Sequence, residues 1–328
     1  MKLTARRAFS ATVLALLAAA GVPASAQTTW PTGKPITWVV PYPPGGTTDI
    51  LGRAVAQRLG TSLAATVIVD NKAGATGTIG SAFVAKAAPD GFTMLGTSIG
   101  PQAIVPNLVP KMQYDPVKAF EPVSLIGTIP HVLVVSTSQP FRTVADLVAE
   151  AKAHPDALSF ASGGNGTILQ MQGELLRLQT GTKMTHVPYK GDTPAIQDVL
   201  AGHAGFMFAP VAAALPHVQS GRLRALAVTS SARLKALPDV PTMAQAGIKD
   251  FVVEQWQAVY LPAGTPQQVV QRLHQEIVRI LKDPEVVAMA DKLGVTLVVS
   301  SPQQLADTQK ADLTKWGRVI KDAGIKVD

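Results

Sequence analysis

The 328-residue chain contains no cysteine, so neither a disulfide framework nor a thiolate metal or redox centre is open to it. Aromatic residues are only 5% and charged residues 16%, and lysine and arginine gather into no stripe, which argues against a nucleic-acid surface. No stretch free of charge and proline reaches the roughly 20 residues that a membrane-spanning helix needs. The six histidines are scattered, with no H-E-x-x-H pattern and no cysteine partner, so no metal site and no cofactor is expected. What is present is 47% hydrophobic residues in a chain long enough for one large or two moderate domains, which fits compact layers rather than disorder.

At the N-terminus, Lys2, Arg6 and Arg7 precede an uncharged run from Ala11 to Gly21 and then Ala24-Ser25-Ala26 before Gln27. This is the three-part pattern of a cleavable export signal, so residues 1–26 are read as that signal and the mature chain starts near Gln27. The string Ala5-Arg6-Arg7-Ala8-Phe9-Ser10 also resembles a twin-arginine signal, which leaves both that route and the general secretory route open. Removing the signal leaves 26 basic against 22 acidic residues, a net of +4 in place of +7. That mild excess suits an anionic small ligand.

Apolar β-branched runs then alternate with helical patterns. Ile36 to Val40, Val67 to Val69 and Phe92 to Gly96 read as strands, with helices over Asp49 to Leu59 and Gly77 to Ala87 between them. Such βαβ alternation predicts a mostly parallel sheet with helices on its faces. From Pro106 to Pro122 the periodicity fails, and a second alternating series runs from the strand Val132 to Val135 through to Leu223 to Thr229. Amphipathic helices over Gln267 to Lys282 and Pro302 to Ala323 close the chain. The expected division is domain I, residues 27–130 plus 230–328, and domain II, residues 131–229, joined by two connecting strands in the manner of a hinge.

Four glycine- or hydroxyl-rich turns fall where strands give way to helices: Pro41 to Asp49, Asn71 to Gly80, Gly96 to Gly100 and Ser162 to Thr167. Ligands of open α/β sheets sit beyond the carboxyl ends of strands, where bare N–H groups at a helix start favour an anion, most simply a carboxylate. In the first turn, Thr48 or Asp49 serves as a helix cap, while Gly45, Gly46, Thr47 and Thr48 are the expected contacts. The turn Ser162-Gly163-Gly164-Asn165-Gly166-Thr167 holds more donors than a tight turn requires and is the second expected site.

Other motifs weigh less. Gly96-Thr97-Ser98-Ile99-Gly100 matches the G-x-S-x-G nucleophile elbow, so a secreted serine esterase using Ser98 with His217 or His274 and Asp192 or Asp239 is the strongest enzyme reading. Pro101 and Asn107 give the required following helix little support, and no His-Gly-Gly motif precedes it. Gly74-Ala75-Thr76-Gly77 breaks the dinucleotide order, and no turn ends in Gly-Lys-Ser or Gly-Lys-Thr. Met171, Leu175, Leu176 and Leu178 at helical spacing read as core.

Six strings in order carry a family resemblance: Pro41-Tyr42-Pro43-Pro44-Gly45-Gly46-Thr47-Thr48-Asp49, Asp70-Asn71-Lys72-Ala73-Gly74-Ala75, Val187-Pro188-Tyr189-Lys190-Gly191, Leu226-Ala227-Val228-Thr229-Ser230, Leu237-Pro238-Asp239-Val240-Pro241-Thr242 and Pro262-Ala263-Gly264-Thr265-Pro266. Together they resemble the Bug-type extracytoplasmic receptors of tripartite tricarboxylate transporters, across essentially the whole mature chain. The resemblance implies an α/β, two-domain Venus-flytrap of the type II periplasmic-binding class, with mixed sheets, helices on both faces and a two-strand hinge. It implies a periplasmic monomer, not an enzyme, that holds a small carboxylate and passes it to integral membrane transporter subunits. A sensor in place of the transporter would use the same cleft.

Carried onto matching positions, the resemblance favours Tyr42, Gly46, Thr47 and Thr48 in the first loop, Ala75 and Thr76 in the second, Ser98 after the third strand, and Ser162, Asn165, Gly166 and Thr167 across the hinge. Two departures stand out. Where such receptors usually carry two aspartates, this chain has Gly205 and Ala209, and Phe208, Ala209 and Pro210 are expected to form an apolar wall. A wall without acids favours a carboxylate that lacks an ammonium group, aromatic or dicarboxylic. The second loop has Lys72-Ala73 where arginine and proline are usual, which bears on its shape.

Overall fold

The computed structural model describes residues 30–326, so the export signal expected over residues 1–26 lies outside the described residues. Two five-stranded mixed sheets organise the chain. The first contains β1 (Ile36–Val40), β2 (Val67–Asn71), β3 (Thr93–Ser98), β4 (Phe120–Ile129) and β10 (Gln255–Pro262), in the order β2-β1-β3-β10-β4. The second contains β5 (His131–Ser136), β6 (Ser159–Ser162), β7 (Thr185–Pro188), β8 (Phe206–Pro210) and β9 (Leu223–Val228), in the order β7-β6-β8-β5-β9. Four strands of each sheet run in one direction, and the fifth is inserted antiparallel between two of them, β10 in the first and β5 in the second. The expected two-domain α/β architecture is therefore present, with the same strand plan used twice.

Helices cover the sheets because their apolar residues recur on one side. In α1 (Thr47–Leu63), Leu51, Val55 and Leu59 stand one turn apart and are wholly buried, each burial contributing about 1.5–3 kcal/mol. With α7 (Gln267–Ile280) and α8 (Pro284–Lys292), α1 closes one core over Trp38, Val40 and Val259 of the first sheet. The last helix, α9 (Pro302–Ala323), starts in a capping box between Ser301 and Gln304 and stops at the left-handed Gly324. It packs against β4 in one lobe and α4 (Ile168–Thr180) in the other, and Arg177 of α4 donates to the Ala323 carbonyl at 3.2 Å.

The chain crosses between the sheets at Pro130, between β4 and β5. The return is longer than the expected division at 229/230 allows. Residues 229–253 stay hydrogen-bonded to the second sheet, with Met243 N–H on the Val228 carbonyl at 2.9 Å and Val253 N–H on the Thr229 carbonyl at 3.0 Å. Phe251 also stacks on Phe208 at 5.4 Å, so this segment belongs to the second core and the chain re-enters the first sheet only at β10. The region from Pro106 to Pro122, read as irregular, gives way at Phe120 to β4, whose buried run shows no clean alternation because both its faces are covered.

Candidate functional site

The loop after β1 is fixed by one acid. Asp49, in the first turn of α1 and buried, accepts from the Gly45 N–H at 2.9 Å, from Asn71 Nδ2 at 2.9 Å and from Arg53 Nε at 3.0 Å. Burial opposes ionisation of this carboxyl, but the bonds from Arg53, Gly45 and Asn71 outweigh it and hold its pKa below the usual value. Asp49 thus clamps the loop, and the helix cap itself is Gly46, whose backbone is extended. Thr48 is no cap either: its hydroxyl donates to Gln257 Oε1 of β10 at 2.8 Å.

Gln257 lies directly opposite Ser98 in the antiparallel pair of β10 and β3, so the two side chains emerge on the same face of the sheet. Ser98 Oγ pairs with Tyr42 Oη at 2.7 Å. Burial pushes the Tyr42 hydroxyl up to about 12, so it stays protonated. The second loop follows β2. Its Ala75 and Thr76 are exposed and hold φ of 45° and 52°, a left-handed pair that costs about 1–3 kcal/mol per residue for side chains other than glycine. Tyr42 stands behind this loop, since a Cβ placed on Gly77 would sit 3.4 Å from Tyr42 Cε1.

In the second lobe, the turn after β6 is held by its own polar groups. Ser162 Oγ pairs with His186 Nε2 at 2.6 Å, Thr167 Oγ1 donates to the Gly164 carbonyl at 2.7 Å, and the Gly166 N–H is taken by Gln170 Oε1 at 2.8 Å. Asn165 is left exposed at the tip. The Asp192 carboxyl rests on Gly163 so closely that a Cβ there would lie 2.2 Å from its Oδ1. Burial pushes the pKa of Asp192 up.

A cavity of about 310 Å³ opens between the lobes, and it joins Ala75, Thr76 and Thr78 of the first to Asn165 and Gly166 of the second. Val105, Leu108, Val109, Lys111, Met112 and Gln113 complete its lining. Of the residues singled out from sequence, Ala75, Thr76, Asn165 and Gly166 meet here. Tyr42, Ser98 and Thr48 form the hydrogen-bonded layer at the end of the first sheet, and Gly46 and Thr47 start the helix beside it. Ser162 and Thr167 shape the opposing turn. The lining from Val105 to Gln113 carries no signal in the sequence, because nothing in a stretch without periodicity marks it.

The expected apolar wall needs correction. Phe208 is no cleft wall, because its ring stacks on Phe251 inside the second core, and Ala209 is wholly buried and pairs with Val132; Pro210 is half-buried at the carboxyl end of β8, where it leads into α6 (Val211–Gln219). Gly205 stands before the start of β8, at the end of the strand away from the turn, and a side chain there would strike Leu158 at 2.4 Å. The absence of an acid at Gly205 therefore says nothing about the ligand.

The nucleophile elbow also dissolves. A helical segment, Gly100–Ile104 and Val105–Asn107, does follow β3, contrary to expectation, but the motif's first glycine serves packing: a Cβ on Gly96 would lie 2.1 Å from Trp38 Nε1. The partner of Ser98 is Tyr42, whereas His217 pairs with Arg222 and His274 with the Val123 carbonyl.

The model of the tripartite tricarboxylate transporter family receptor matches residues 51–325. The chain belongs to this family. It is 36% identical to the protein BugT of Bordetella pertussis over 312 residues, 95% of this chain and 96% of BugT, which agrees with the Bug-type resemblance. Two solved R. palustris proteins share the architecture: one with adipate, at a TM-score of 0.78 and 34% identity over 90% of this chain and 99% of that one, and MatC with bound malate, at 0.74 and 30% over 87% and 98%. Receptors of this family are solute-binding proteins rather than enzymes, and they serve a tripartite transporter. The fold of this receptor is accordingly that of a two-lobed periplasmic binding protein.

Proposed function

We propose that the mature receptor resides in the periplasm and captures a small carboxylate without an ammonium group, aromatic or dicarboxylic, in the cleft between its lobes. The observation that carries this reading is the cavity that joins Ala75 and Thr76 to Asn165 and Gly166, because a ligand held from both sides favours the closed state over the open one. The lining includes one lysine and no carboxylate, which suits an anion. Thr76 and Asn165 supply neutral donors at the two rims, and Tyr42, Ser98, Thr48 and Gln257 keep the loops in place behind them. The likeness to proteins solved with adipate and with malate supports the ligand class. The closed, loaded monomer then docks on the membrane subunits of its transporter.

A thermal-shift screen of the protein from Gln27 onward against mono-, di- and tricarboxylates, aromatic acids and amino acids tests the reading. A ligand at a hundredfold its dissociation constant adds about 2.7 kcal/mol, a plainly visible shift. Stabilisation by one carboxylate class supports the proposal. An amino acid that outperforms its deaminated analogue, helped by Asp192 beside Gly163, would refute the ligand class, and no shift with any acid would refute the site.

A further inference from the structure

The cavity wall from Val105 to Gln113 raises a question that the glycine turns do not answer: what a ligand meets at its far end. Val105, Leu108, Val109 and Met112 give this wall an aliphatic surface, and Lys111 stands among them as the single charged residue of the whole lining. At about 310 Å³ the cavity lies at the lower end of the roughly 300–1,000 Å³ usual for ligand sites, so a short molecule fills it. The donors offered by the two rims, Thr76 and Asn165, are neutral. They serve one carboxylate, as backbone and hydroxyl donors do at helix starts, but a second carboxylate drawn into the closing cleft needs a counter-charge of its own.

We infer that Lys111 pairs with the distal carboxylate of a dicarboxylate and is the residue by which this receptor distinguishes dicarboxylates from monocarboxylates. The inference rests on the carboxylate-receptor reading above and narrows its ligand class. The chemistry is consistent along the molecule: neutral donors of the two lobes at one end, aliphatic contacts for a methylene middle, and an ammonium for the second anionic end. Lys111 is exposed in this structure, so its charge draws the ligand from solution and loses its water only as the cleft closes. An ammonium is well suited to this role because its flexible stem follows ligands of different length, whereas a guanidinium would demand a fixed planar partner.

The test is calorimetric titration of the mature wild-type protein, Lys111→Gln and Lys111→Arg with succinate, malate, glutarate and adipate, and with butyrate, hexanoate and benzoate as monocarboxylate controls. The expected result is a loss of about tenfold or more in affinity for the best dicarboxylate in Lys111→Gln, the worth of one charge-assisted bond, with partial recovery in Lys111→Arg. Monocarboxylate affinity should be the same in all three proteins, and the dicarboxylate preference of the wild type should shrink as salt is raised. Because Lys111 is exposed, the variants should unfold at the wild-type midpoint, which separates binding from folding. If the wild type binds a dicarboxylate and Lys111→Gln binds it equally well, Lys111 has no such role while the receptor reading stands. If the wild type binds only monocarboxylates, aromatic or aliphatic, the inference falls alone; if it binds no carboxylate, both fall.

Discussion

Gln172 Nε2 lies 3.0 Å from His131 Nδ1 and also donates to the Val253 carbonyl at 3.2 Å. With both amide protons committed, His131 Nδ1 must accept, which places the imidazole proton on Nε2 and keeps the ring neutral. His131 follows the first crossing between the lobes and Val253 precedes the second, so one amide of α4 ties together the second-lobe ends of the two crossings. All three residues are buried, and loss of that amide leaves two acceptors without a partner. Gln172→Leu should therefore cost about 1–3 kcal/mol, read as a lower urea midpoint with an unchanged slope. A wild-type midpoint would mean that the amide does not join the crossings in solution.

The same histidine gives the protein a dependence on acid. Burial pushes His131 from 6.5 down to about 3, and burial likewise depresses His186 to about 4. An unfolded chain takes up a proton on each near pH 6.5, while the folded rings remain neutral until far lower pH. The unfolded state thus binds more protons throughout that window, and stability must fall as pH drops from about 6.5 toward 3, by up to about 1.4 kcal/mol per unit for His131. Denaturation at pH 7 and pH 5 should show the loss in the wild type and a shallower one in His131→Asn. Equal losses in both proteins would assign the effect elsewhere.

A third expectation concerns the turn across the cleft. Since a Cβ on Gly163 would lie 2.2 Å from Oδ1 of Asp192, the first residue of α5 (Asp192–Ala201), Gly163→Ala must displace that carboxyl, at a cost of about 1–3 kcal/mol. Asp192→Ala removes the obstacle, so the double variant should recover most of that loss. Simple additivity of the two changes would show that the carboxyl does not rest on Gly163 in solution.

Local pattern explains which of these features were legible beforehand. The strand Ile36–Val40 and the helix Pro302–Ala323 carry their own signals, a β-branched run in one and a capping box ahead of a 3.6-residue stripe in the other, and both lie where the sequence places them. The four glycine turns likewise announce themselves, and two of them supply both rims of the cavity. By contrast, β10 is buried along nearly its whole length and pairs with strands more than a hundred residues away, so it has neither alternation nor a local partner to reveal it. The burial of Phe208 is hidden for the same reason: its stacking partner, Phe251, is distant in sequence. Asp49 looked like a cap because caps are local, and its real work depends on Asn71 from the next strand.

That dependence makes the first loop testable without touching any ligand contact. Asp49→Ala removes the acceptor shared by the Gly45 N–H, Asn71 and Arg53, and should lower stability by about 2 kcal/mol. Carboxylate affinity should fall as well, because the loop from Pro41 to Gly46 loses its anchor. If stability fell and affinity did not, that loop would have no part in the site.

Ser98 separates a receptor from an esterase most directly. Its hydroxyl is bonded to Tyr42 and stands opposite Gln257, and His217 and His274 are paired elsewhere, so neither candidate histidine is placed to take its proton. Ser98→Ala should leave ester hydrolysis at the same background as the wild type. It should still weaken carboxylate binding, by about tenfold at most, because Tyr42 loses the bond that holds it behind the Ala75–Gly77 loop. Turnover present in the wild type and absent in Ser98→Ala would overturn this account, since a hydroxyl that only positions a tyrosine has no chemistry to lose.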